Sequence, residues 1–263
     1  MKSLLLLIAI APMTLFAQTA GSASPTASGK IGPSAVWQPP ADFITKAHAV
    51  CDKTAGPAST GQCFVNQIAA AGAPADAVSF TRMLFQQTNG DVGIMTAFKK
   101  FGPVDAAQVL YPLRANDNYG LLLVNGDPSI LNVDDFQKLD RATMEQNPMF
   151  QAVKRKYPKT DLFTGDRSGD HPWPRTQPLP GGGTEFVVSY PLLDGCHACA
   201  SNGLARFGWD FDANGKFLRT VYIPTPPPPK LTRPTRQPGS PPGPLAPQSQ
   251  PPLQPAPQSP PQQ

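Results

Sequence analysis

Charged side chains are scarce in this chain of 263 residues. Asp, Glu, Lys and Arg make up 15% of it, against roughly 25% in an ordinary soluble domain. Histidine is rarer, with three residues, His48, His171 and His197, so a metal centre or general base built on imidazole has few sources. Removing Lys2, Lys30, Lys230, Arg233 and Arg236 from the 22 basic residues leaves 17, against 18 acids. The formal charge of +4 therefore belongs to the two ends, and the near-neutral middle lacks the basic face that nucleic-acid binding requires. Four cysteines are too few for a dense disulfide framework. Past residue 17 no apolar run approaches the roughly 20 residues of a spanning helix, so no transmembrane segment is expected in the mature chain.

Proline is abundant, with 34 residues, half of them in 224–263. That segment has almost no large apolar side chains and cannot offset its ordering entropy by burial. It reads as a disordered, Pro-rich tail of polyproline character. Its only charges, Lys230, Arg233 and Arg236, suit solubility and spacing, or contact with an anionic envelope or cell-wall surface. At the other end, Lys2, the apolar run Leu4 to Ala11, and Leu15-Phe16-Ala17 make residues 1–17 a signal peptide. The mature chain is expected in the periplasm or outside the cell, where thiols oxidise. Residues 18–40, rich in Ala, Ser, Gly, Thr and Pro, read as a flexible linker. Residues 41–223 are the length of a single globular domain.

Periodicity places helices first. Phe43, Ala47 and Val50 share one face of a helix that follows Pro39-Pro40; a second helix covers 62–71, and a third opens after Pro74. Residues 104–113 and 119–125 are apolar segments around Asn116-Asp117-Asn118, a hairpin signal. Helical stretches follow from Asp134 and from Pro148. Residues 158–183, with many Pro and Gly, look irregular. Three strand-like runs, 184–193, 203–212 and 216–223, end the body, with Phe207, Trp209 and Phe211 alternating inward. The fold class is α+β, with N-terminal helices and an antiparallel sheet completed by the last three strands.

Cys51 and Cys63 lie at facing ends of the first two predicted helices, and Cys196 and Cys199 in a connection between two strands. Pairing 51 with 63 and 196 with 199 is the simplest of the three arrangements. The second pair has further readings. A Cys-x-x-Cys redox site owes its reactivity to a helix N-terminus, and none is predicted here. Two thiolates with His197 form a soft set suited to zinc or copper, but the adjacency of Cys196 and His197 hinders shared ligation. Only His48 and His171 remain as further imidazoles. Covalent haem is excluded because Ala200 stands where that motif needs His.

Asp210, Asp212 and Asn214, with Gly215, match the first half of a helix–loop–helix calcium loop. The twelfth place falls on Val221 rather than an acid, and the flanks alternate as strands. A hairpin turn at Asn214-Gly215 and a partial calcium site are both open readings. Asp166, Ser168 and His171 sit close in sequence, but triads are assembled across a fold, so a polar loop is expected.

The run Asp194-Gly195-Cys196-His197-Ala198-Cys199-Ala200, with Ala205-Arg206-Phe207 and Phe211-Asp212-Ala213-Asn214-Gly215-Lys216-Phe217, resembles a group of exported bacterial proteins of unassigned function. The resemblance implies an envelope protein whose body is one unit, and no activity. With no catalytic constellation in view, the expected function is a non-enzymatic binding or interaction module. The alternative is a thiol-redox or metal-handling protein using Cys196, His197 and Cys199.

Overall fold

The structure, a computed structural model, describes residues 29–88, 90–115, 118–165 and 173–224. The signal segment 1–17, the tail beyond Pro224 and the Asp166–His171 cluster lie outside the described residues. Three helices come first: α1 (Phe43–Cys51), α2 (Pro57–Ala70) and α3 (Ala75–Gln87). Pro57 sits at the first turn of α2, where its missing N–H costs nothing. The inward face of α1 carries Phe43, Ala47 and Cys51; Val50, expected inside, is exposed.

Four antiparallel strands make the first sheet in the order β1 (Ile94–Lys99), β2 (Asp105–Leu110), β3 (Tyr119–Val124) and β4 (Ile130–Asn132). The expected hairpin is present, with Asp105 opposite Val124 and Leu110 opposite Tyr119. The stretch after Asp134 divides into a 3₁₀ turn (Phe136–Lys138) and α4 (Arg141–Gln146), followed by α5 (Pro148–Lys156). Asp140 and Asn147 accept hydrogen bonds from the first-turn N–H groups of α4 and α5, as helix N-caps do. The segment expected to be irregular holds β5 (Asp161–Leu162) and β6 (Arg175–Pro178). Both pair antiparallel with β7 (Thr184–Leu193), which continues to β8 (Ser201–Phe211) and β9 (Phe217–Ile223). The fold is α+β with antiparallel sheets, and the last three strands complete a second, five-stranded sheet with β5 and β6.

Alternation along β2 and β3 sorts the layers. Ala106, Leu121 and Leu123 face a core shared with Phe186, Val188, Phe207 and Trp209 of the second sheet. Ala107, Val109, Leu122 and Val124 face the opposite way, onto Phe80 and Leu84 of α3. The first sheet is thus the middle of a helix–sheet–sheet stack, while α1 and α2 close one end over Val92 and Ile94. In the central core, buried Trp209 donates Nε1–H to the Tyr190 hydroxyl at 3.3 Å, which donates to the Val133 carbonyl at 2.6 Å. The two sheets are also tied at their turns, where Asp127 exchanges backbone bonds with Gly215 and Phe217. A Cβ on Gly126 would meet the Gly215 carbonyl, so this approach requires glycine.

Residues 31–38 are packed, not linker, which moves the start of the folded unit upstream of residue 41. Asn125, in the left-handed region at φ 68° that Asn tolerates, accepts from the Ile31 N–H and donates to its carbonyl. The same amide donates to buried Asp105 at 2.8 Å. Ala35 is buried against α3 and the first sheet. Burial raises the Tyr111 phenol far above its ordinary 10.0. Among the described residues no helix is long and apolar enough to cross a membrane.

Candidate functional site

The four cysteines form two disulfides, Cys51–Cys63 and Cys196–Cys199, in unlike settings. Cys51 is fully buried and ties the end of α1 to α2, beside Phe64 and Val65. The other disulfide closes the tip of the β7–β8 hairpin. Cys196, His197 and Ala198 are exposed there, the Cys199 N–H donates to the Cys196 carbonyl, and the His197 ring stands edge-on to Phe163 at 4.8 Å. Strands flank this loop, so no helix N-terminus favours a thiolate.

With their sulfurs bonded to each other, Cys196 and Cys199 offer no thiolate to zinc or copper. His48 is engaged elsewhere, between Asp52 at 3.1 Å and the Pro112 carbonyl at 3.1 Å. The calcium candidates are not gathered either. Asp212 accepts the Asn214 and Lys216 N–H groups, both at 2.9 Å, and so builds the hairpin turn, with Gly215 at φ 82°. Asp210 is buried in β8, where Arg219 of β9 donates to its Oδ2 at 3.1 Å. Among the described residues no three His, Cys, Asp or Glu side chains form a metal-holding group.

A different place stands open. A groove of about 1010 Å³, counting its mouth, lies on the first sheet. Its strand side carries Thr96, Ala97, Gln108, Leu110 and Tyr119; its other side carries Gln38, Pro39, Pro40, Ala41 and Ile44. Pairing of Ala97 with Gln108 and of Leu110 with Tyr119 puts these side chains on one face. The opposite wall is fixed by backbone and ring contacts. The Trp37 N–H donates to the Met95 carbonyl at 2.9 Å, Gln38 Nε2 donates to the Thr96 carbonyl at 2.6 Å, and Trp37 meets Phe43 edge-to-face at 5.2 Å.

None of the ten lining side chains carries a carboxylate, amine, guanidinium, imidazole or thiol. The one deep polar side chain is Gln108, 8% exposed. Its backbone carbonyl accepts from Thr96, but its side-chain amide makes no hydrogen bond to another described residue. Among the described residues the buried side-chain polar atoms without a partner are Thr164 Oγ1 and Asp210 Oδ1, so the Gln108 amide is open to water in the groove. Sequence reasoning missed the groove; its one local signal was a lone Gln inside the apolar strand DAAQVL.

These features define a disulfide-bonded α+β protein with a surface groove lined by uncharged side chains and no metal-holding group among its described residues. No known protein family, curated protein or solved structure matches the chain.

Proposed function

We propose that this is an exported, non-enzymatic binding protein, periplasmic or secreted, whose ligand lies in the groove over β1–β3. The observation that carries the reading is the groove's composition: amide, hydroxyl and apolar groups side by side, with no carboxylate, amine, guanidinium, imidazole or thiol among its lining side chains. Two disulfides and the apolar N-terminal segment support export. The Pro-rich tail, with its three cations, suits contact with an anionic envelope surface, and the resemblance to exported bacterial proteins agrees. The purified full chain is expected to show no turnover on thiol-disulfide, ester, peptide or metal-dependent substrates. Turnover that is lost with a defined side chain would overturn the reading.

The exposure of Cys196–Cys199 around His197 favours a second reading, a thiol-redox or metal-handling protein. A partner dithiol would reduce the disulfide, giving the Cys196 and Cys199 thiols and the partner's disulfide. The freed thiolates with His197 would then suit zinc or copper. Mass spectrometry of the native protein before and after mild reductant separates the two. A resistant bond without metal supports the binding reading, and an easily reduced pair or a retained ion supports the second.

A further inference from the structure

We propose that the C-terminal end of α5 is a docking surface for an anionic lipid bilayer, with Arg155, Lys156 and Lys159 at the headgroups. This surface shares no residue with the groove and does not depend on it.

The stretch 148–159, PMFQAVKRKYPK, carries four cations and no acid, in a body whose charges otherwise nearly cancel. Arg155, Lys156 and Lys159 are exposed, and none of the three meets a carboxylate of a described residue. The nearest acids along the chain, Glu145 and Asp161, both lie against Arg141, at 3.7 and 2.7 Å. The fourth cation, Lys154, donates to the Pro158 and Thr160 carbonyls at 3.0 and 2.8 Å. It folds the chain back on the helix and keeps Lys159 at that end of α5. Cations in a last helical turn complement the helix dipole. That accounts for Arg155 and Lys156, but not for Lys159, which lies past the end of the helix.

An apolar neighbour decides for lipid over a soluble polyanion. Met149, Ala152 and Lys156, at i, i+3 and i+7, share one side of α5. All three are exposed, Met149 by 44%. The Lys156 ammonium also stands 5.0 Å from the centre of the Tyr157 ring. A polyanion in water would pair with the cations and leave Met149 in solvent. A bilayer takes both: lipid phosphates pair with the cations, and the thioether enters the apolar boundary beneath them.

The test uses the mature chain, Gln18 to Gln263, so that the apolar leader cannot insert by itself. It is sedimented with vesicles of phosphatidylglycerol and phosphatidylcholine in equal parts, and with vesicles of phosphatidylcholine alone. Binding is expected to the first only, and it should fall as salt rises. Arg155→Gln, Lys156→Gln and Lys159→Gln together should weaken it on the order of 100-fold, the combined effect of three cations near an anionic surface. Lys53→Gln, Arg82→Gln and Lys100→Gln together remove the same charge from other exposed positions and should weaken it far less. Met149→Gln should weaken vesicle binding about fivefold and leave binding to soluble polyglutamate unchanged. Unchanged vesicle affinity in the first triple variant, or equal losses in the two triple variants, would overturn the proposal. Binding to polyglutamate without binding to anionic vesicles would overturn the lipid assignment.

Discussion

Trp209→Ala is expected to lower the unfolding free energy by about 3–5 kcal/mol, the range for deleting a buried indole. Trp209 is fully buried in the layer between the two sheets, so its removal leaves a cavity that neither sheet can fill alone. It also takes the Nε1–H donor from the Tyr190 hydroxyl, which itself holds the Val133 carbonyl of the first sheet's side. Domain stabilities run about 5–15 kcal/mol, so this one change should remove a large part of the total. Urea unfolding checks it, with Trp209→Phe as the milder companion that keeps most of the ring volume. A loss below about 1 kcal/mol would show that the two sheets do not share this core.

The double substitution Cys51→Ser with Cys63→Ser is expected to cost about 3 kcal/mol, the chain-entropy value for a loop of about a dozen residues. Burial of Cys51 adds to the loss, since two hydroxyls would replace apolar sulfur beside Phe64 and Val65. The corresponding pair at Cys196 and Cys199 closes a separation of only 3 residues; the same relation gives about 2 kcal/mol or less. The change falls in an exposed hairpin tip, so it should leave groove binding intact. Thermal unfolding of the two double variants checks the order. A larger loss from the 196/199 pair would mean that the hairpin tip, not the helix pair, carries the structural staple.

The parts of this fold that were legible in the sequence are those with local signals. Phe207, Trp209 and Phe211 alternate because β8 turns that face to the core, and Asn214-Gly215 marks the turn that Asp212 then caps. The cysteines pair between sequence neighbours. Strand β1 was not legible because it follows a Gly-containing loop and contains a bulge between Met95 and Ala97 that breaks its alternation. β4 has three residues and β5 two, too few for a period to show. Residues 31–38 sit in a stretch, 18–40, whose overall composition is that of a linker, which hid the apolar Ile31, Val36 and Trp37, and their position depends on Asn125, 94 residues away in the chain. The groove fails in the same way. Its lining comes from three separate segments, 38–44, 96–97 and 108–119, and its lack of charge removes the residue types that flag a site.

The most direct measurement places a photo-crosslinking benzoylphenylalanine at Tyr119 in one full-length protein and at His197 in another, each irradiated in its host. Groove binding predicts adducts from position 119 and none from position 197. Adducts from position 197 alone, with 119 silent, would contradict it and move the site to the disulfide loop.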